Sequence, residues 1–368
     1  MDGREFQPGA ALCRDFFHDL VEPVLGKEFP QLEYAAGLIG PGSEVLGYDD
    51  PMSADHHWGP RAMLFVADDQ LPAWRDSIRD TLSRQLPVSF QGYPTNYPPP
   101  NPDDSGTQLL EEVSQGPVNH RVEVLRLAGY LERYLGIDLS QPMTAVDWLI
   151  VPGQKLKTVA EGAIFKDDRG ELREVQGRLS YYPEQVWLYL LAAGWARIGQ
   201  EEHFLGRTGW RGDELGSRLI GARLIHDLMN LCFLIERVYP PYSKWFGTAF
   251  QELSAADRLL PVFHQVLDAP DWQSRERQLV RAYEFTAEHF NALGLTESLP
   301  AKAVGFHGRP FLVIDADRFV QAILNRISDP EVREIADRTL IGGVEQFSTS
   351  TNLLSEAEIC QKLTSLYL

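Results

Sequence analysis

The chain has 368 residues, too many for one typical hydrophobic core, so two domains are the starting expectation. Its 52 acidic and 34 basic residues leave a formal charge of -18, which repels a polyanion over most of the surface, disfavours broad nucleic-acid binding and still allows a local basic pocket. Three scattered cysteines argue against a disulfide framework, no apolar run approaches the ~18 residues of a membrane span, and the mixed charges of residues 1–10 do not form a signal peptide, so a cytoplasmic chain with no membrane partner is expected.

Residues 11–25 place Leu12, Phe16, Phe17, Leu20, Val21 and Val24 at helical spacing and predict an amphipathic opening helix. Residues 32–39 form a short apolar run between Pro30 and Gly40-Pro41-Gly42, which predicts a buried strand. A second strand is expected over residues 61–67, beginning near Asp55, and a helix over 71–86 with Trp74, Ile78 and Leu82 on one face. Residues 92–106, rich in Pro, Asn, Asp, Tyr and Gly, have no periodicity and predict a loop, either a mobile lid or a surface excursion. Residues 118–127 alternate, with Val122, Val124 and Leu127 against Arg121, Glu123 and Arg126, as a strand with one wet face does. From about Thr144 helical periodicity dominates, strongest over 183–198 and over 214–237, where Pro240-Pro241 must end the helix. A hairpin at 302–315 and helices over 317–327 and 329–339 complete the chain. This order predicts an α+β fold: a mixed sheet with helices over residues 1–140, then a mainly helical domain over 141–368.

The stretch that carries chemistry is Gly40-Pro41-Gly42-Ser43-Glu44, followed by Asp55-His56-His57-Trp58. A strand ending in small residues exposes backbone N–H groups that suit phosphate oxygens; Gly42 allows close approach and Ser43 adds a hydroxyl donor. The same residues would also make a plain tight turn. Asp55 and His57, two apart, project to one face if they lie on a strand and together suit a divalent cation, although Asp55 would serve equally as a cap and His57 as a core histidine.

This pattern resembles the nucleotidyltransferase superfamily related to DNA polymerase beta, whose signature is a strand, Gly-Ser, a short helix, and two carboxylates spaced by one residue. Gly42, Ser43 and Asp55 match; His57 stands where the second carboxylate is usual. Five blocks further resemble the family called DUF4037: Gly42-Ser43-Glu44-Val45-Leu46-Gly47-Tyr48-Asp49, Trp58-Gly59-Pro60-Arg61, Gly116-Pro117-Val118-Asn119-His120-Arg121-Val122-Glu123, Val186-Trp187-Leu188-Tyr189-Leu190-Leu191, and residues 241–250. The resemblance implies transfer of a nucleoside monophosphate from ATP or another NTP, with Mg²⁺ or Mn²⁺, to an unknown acceptor. It implies metal ligands at Asp55 and His57, a third carboxylate at Glu123 with Asp147 as fallback, and phosphate contacts from Gly42 and Ser43. Lys244, beside a helix start after two prolines, together with Arg61, Arg121, Arg218 and Lys155, supplies candidate phosphate cations. The His57 departure opens a second expectation, a nucleotide-binding pseudoenzyme that senses or scaffolds.

Overall fold

The structure, a computed structural model, describes residues 6–54, 58–104 and 106–368. It divides into two compact units, one of residues 1–141 and 155–180 and the other of 142–154 and 181–368. Division at residue 140 therefore does not account for residues 155–180, which return to the first unit and bring it a strand that helical periodicity had hidden.

The first unit opens with α1 (Gly9–Phe16), a π-helical stretch Phe17–Val21, and α2 (Glu22–Glu28), in place of one uniform helix. Then come β1 (Tyr34–Leu38), the single turn α3 (Ser43–Leu46), β2 (Arg61–Val66) and α4 (Leu71–Gln85). A small hairpin, β3 (Ser89–Phe90) and β4 (Tyr93–Pro94), leads to β5 (Arg121–Leu125) and α5 (Leu127–Leu135). In α5, Leu127, Leu131 and Leu135 form one buried stripe, and Gly136 in the left-handed region ends it. After α6 (Ala145–Ile150) and α7 (Gly153–Ala160) the chain adds β6 (Ala163–Asp167) and α8 (Glu171–Arg178).

The sheet order is β5-β2-β1-β6. β1 is antiparallel to both β2 and β6, while β2 and β5 run parallel. Every residue of β1 and β2 is buried, as their unbroken apolar runs predict for central strands. One sheet face carries Tyr34, Ala36, Leu38, Ala62, Leu64, Val66, Val122 and Val124 into a core with Phe16, Phe17, Val21, Ile78 and Leu82.

β2 begins at Arg61, not near Asp55. Gly59 at φ +131° and Pro60, which has no N–H, cannot extend a ladder. Nor is the Pro-rich excursion free. Tyr97 is buried, its N–H donates to Asn119 O (2.9 Å), and Asn119 donates back to Tyr97 O (2.7 Å) and to the Asn96 side chain (2.7 Å).

The second unit contains α9 (Glu184–Glu201), α10 (Phe204–Trp210), α11 (Glu214–Ile235), α12 (Ser243–Phe250), α13 (Ala256–Asp268) and α14 (Trp272–Asn291). Hairpin β7 (Val304–Gly305) and β8 (Leu312–Val313) precedes α15 (Asp317–Leu324) and α16 (Pro330–Arg338). α9 is apolar nearly all round and lies at the centre; its Trp195 stacks on Phe319 with ring centroids 4.1 Å apart. Among the described residues no helix is long and apolar enough to cross a membrane.

Candidate active site

Strand directions bring the informative residues to one edge of the sheet. β1 ends where antiparallel β2 begins, and β5 begins beside β2 with Arg61 opposite Arg121 and Met63 opposite Glu123. The Gly-Ser junction, the entry into β2 and the start of β5 therefore share that edge. Registered partners project to the same face, so Arg61, Met63, Arg121 and Glu123 lie on the face opposite the core, with Ala35 and Gly37 of β1 beside them.

The junction itself is built around small residues. Gly40 has φ +87°, its N–H donates to Thr158 O (3.2 Å), and an added Cβ would fall inside the Tyr130 hydroxyl, which donates to Ile39 O (3.2 Å). Gly42 has φ +144°, and a Cβ there would meet Glu44 Oε2 at 2.6 Å and Arg61 Nη2 at 2.7 Å. Behind the turn lies a buried ion pair. Arg61 donates through Nε (2.9 Å) and Nη2 (2.6 Å) to Glu44 Oε1, and Nη2 reaches Pro41 O (3.0 Å). Burial disfavours the Arg61 charge, but the Glu44 carboxylate and its hydrogen bonds, together with Cys13 and Tyr97, outweigh it and hold the guanidinium protonated. Arg61 thus secures the loop from beneath, its charge already matched. The Ser43 hydroxyl makes no hydrogen bond among the described residues, and the residue is half-buried.

Arg121 differs from Arg61. Its guanidinium lies over the Tyr97 ring at 5.4 Å from the centroid, and its Nη1 is buried without a hydrogen-bond partner. Burial, and then the neighbouring Arg61 charge, push its pKa down, as for a cation lacking a counter-ion. Two residues on, Glu123 is exposed on the same face and has no partner among the described residues. The edge therefore offers an unmatched cation, a free carboxylate and a free hydroxyl within one short piece of sheet.

The flanks of residues 55–57 are fixed. Asp49 accepts from Gly9 N–H (2.6 Å) and from the Trp58 indole (2.9 Å), and Asp50 accepts from Ser53 N–H (2.7 Å) and hydroxyl (2.8 Å). Asp55 and His57 themselves lie outside the described residues. Among the described residues no group of three or more His, Cys, Asp or Glu side chains could hold a metal ion.

Asp147 forms a capping box with Thr144, each residue's N–H bonded to the other's side chain (2.8 and 3.1 Å), which explains its place at the start of a helix. Lys155 donates to Tyr134 O (2.8 Å). Lys244 belongs to the second unit, where its ammonium lies 4.7 Å from the Trp245 ring centroid. The sequence reading missed Glu44, Tyr97 and Tyr130 as supports of the site. Glu44 carried a signal, since a carboxylate directly after Gly-Ser needs a cation if it is buried.

Residues 148–246 match the family model described as a domain of unknown function, DUF4037. The resemblance drawn from the five blocks therefore holds over the fourth and the start of the fifth, with the first three lying outside the matched span. No curated protein matches the chain. Among solved structures the chain is similar to a nucleotidyltransferase-like protein from Exiguobacterium sibiricum, 12% identical over 85% of this chain and 90% of that one, at a TM-score of 0.33.

Proposed function

We propose that this chain is a metal-dependent nucleotidyltransferase, moving a nucleoside monophosphate from ATP or another NTP to a hydroxyl of a small molecule or a protein. The observation that carries the reading is Arg121: a buried, unpartnered guanidinium nitrogen on the same sheet face as the free carboxylate of Glu123, at the edge where β1 runs into Gly42-Ser43. In this reading the Ser43 hydroxyl and the backbone N–H groups beside Gly42 hold the triphosphate, and Arg121 supplies the cation its phosphates need. Arg61 acts as a positioning residue through Pro41 O and Glu44.

The acceptor oxygen attacks the α-phosphorus, the bond from that phosphorus to the bridging oxygen breaks, pyrophosphate leaves, and the acceptor proton passes to Glu123. Glu123 also fits one place in a Mg²⁺ or Mn²⁺ shell, being an oxygen donor with no competing partner; Asp55 and His57 would complete the set. Bound metal would neutralise the charge that builds on the phosphates.

Calorimetric titration of each NTP in Mg²⁺ and then Mn²⁺ tests the reading, on wild type, Asp55→Ala and Arg121→Met. Metal-dependent binding that Asp55→Ala abolishes and Arg121→Met weakens about tenfold or more is expected. Failure of every NTP to bind under both metals would end it. The histidine at position 57 favours a second reading, a nucleotide-binding pseudoenzyme acting as sensor or scaffold. His57→Asp separates the two: turnover that appears only in the variant identifies the wild type as a binder.

A further inference from the structure

α10 is held in one orientation by two glycines. A Cβ at Gly206 would meet the Phe311 ring at 2.5 Å, and one at Gly209 would fall inside the Trp272 side chain. The glycine face must therefore turn inward. The opposite face then carries Phe204, Arg207, Thr208 and Arg211, spaced as helical neighbours. Together with Asp213 and Ile220 these four line a cavity of about 350 Å³, within the size range of small-molecule sites.

Some arginines of this unit are held by carboxylates: Arg197 and Arg223 pair with Glu201, Arg275 with Glu214, and Arg318 with Asp315. Arg207 and Arg211 are exposed, and neither has an ion-pair partner within 4.0 Å among the described residues. The one acid on the cavity wall, Asp213, is engaged as the cap of α11, accepting from Gly216 N–H at 2.7 Å. Arg309 and His307 of the β7–β8 loop lie close enough, with Arg207, to lower the pKa of His203 further after burial has done so. His203 stacks on Phe306 (4.3 Å between ring centroids), and its Nδ1 is buried without a partner. Large aromatic surface adjoins these cations, Phe204 being 39% and Trp210 65% exposed.

Two unmatched guanidinium forks beside exposed rings fit a phosphate joined to a planar base: the forks bind phosphate oxygens and the ring face takes the base. The cavity admits one such unit, and a net charge of -18 opposes a long polyanion. We propose that this cavity binds a free mononucleotide, its phosphate on Arg207 and Arg211 and its base against Phe204.

The test titrates the full chain with AMP, inorganic phosphate and the trinucleotide pApApA at low salt in EDTA, which removes any metal-dependent NTP binding. AMP is expected to bind in EDTA, at least tenfold tighter than phosphate, and to weaken as salt rises. Arg207→Glu with Arg211→Glu should reduce AMP affinity at least tenfold. Both residues are exposed, so an unchanged urea midpoint checks that the fold is intact. Phe204→Ala should weaken AMP and leave phosphate unchanged, and Ser43→Ala should retain AMP binding.

Absence of AMP binding, phosphate binding as tightly as AMP, or AMP affinity unchanged by the double charge reversal would overturn the proposal. So would loss of AMP binding in Ser43→Ala. Affinity for pApApA far above that for AMP would overturn it in favour of a strand end. Self-association abolished by the double charge reversal, with no AMP binding, would overturn it in favour of a docking face for an acidic surface of a second copy.

Discussion

Glu44→Ala isolates the support of the Gly-Ser turn. The substitution leaves Arg61, only 6% exposed, with its charge uncompensated beneath the loop. Breaking a buried pair by removing one partner typically costs about 3–5 kcal/mol, because the remaining charge stays buried and, for arginine, does not neutralise. Hydrogen exchange at β1 and β2 amides reads the first unit alone, and their protection should fall by roughly a hundred- to several-thousand-fold. In thermal unfolding the same loss corresponds to a shift of about 6–20 °C for a unit of this size. Glu44→Leu with Arg61→Met removes both charges and should recover most of the stability, since apolar pairs of similar volume often replace buried ion pairs at little cost. The double variant still lacks the bond from Arg61 to Pro41 O, so it should fold while binding NTP less well than wild type. A cost below about 1 kcal/mol for Glu44→Ala, or a double variant no more stable than the single, would refute the view that this pair holds the junction.

Gly40→Ala should cost about 2–3 kcal/mol, combining strain at φ +87° with the lost Tyr130–Ile39 hydrogen bond, and Tyr130→Phe in the same chain should relieve the steric part; urea unfolding measures both. Glu202 titrates in the folded chain at about 7, raised from 4.5 by burial despite N–H groups from Ile314 and Ala316 that favour its ionised form. For an acid with a raised folded pKa the stabilising contribution is full below about 4.5 and is lost as pH rises through about 7. Unfolding of the second unit should therefore become easier over that window by about 3 kcal/mol, and Glu202→Gln should flatten the slope. His120 accepts from Val122 N–H at Nδ1 (3.0 Å) and lies 3.0 Å from Arg79 O at Nε2, so its proton sits on Nε2. With burial holding its pKa down, nitrogen NMR should show the neutral Nε2–H ring persisting to lower pH than in an exposed histidine.

Much of this fold was legible because period and punctuation agreed. The unbroken apolar runs became the two central strands, whereas α11 stopped at Ile235, ahead of Pro240-Pro241, where Arg237 at φ +54° turns the chain out of the helix. The sheet's fourth strand was not legible. β6 is five residues long, set among helices, and is defined by pairing with β1 well over a hundred positions earlier. No local period reports a partner that distant. The 92–106 excursion read as loose because its ties, Asn96 and Tyr97 to Asn119, are side-chain and backbone bonds that composition does not display. At the site, residue types announced Gly42, Ser43 and Glu123, but only register placed Arg121 beside Arg61 and separated the matched cation from the unmatched one.

The return of residues 155–180 to the first unit has a practical consequence for anyone dissecting the chain. A fragment ending at residue 141 would carry the Gly-Ser turn, Arg121 and Glu123 but would lack β6. Its β1, Tyr-Ala-Ala-Gly-Leu, would become a bare rim with unpaired N–H and C=O groups and no charged residue to discourage a second molecule. Such a fragment would be expected to join copies edge to edge. A separable first unit would instead need residues 155–180 carried along, through a linker replacing 142–154 or a permuted chain order.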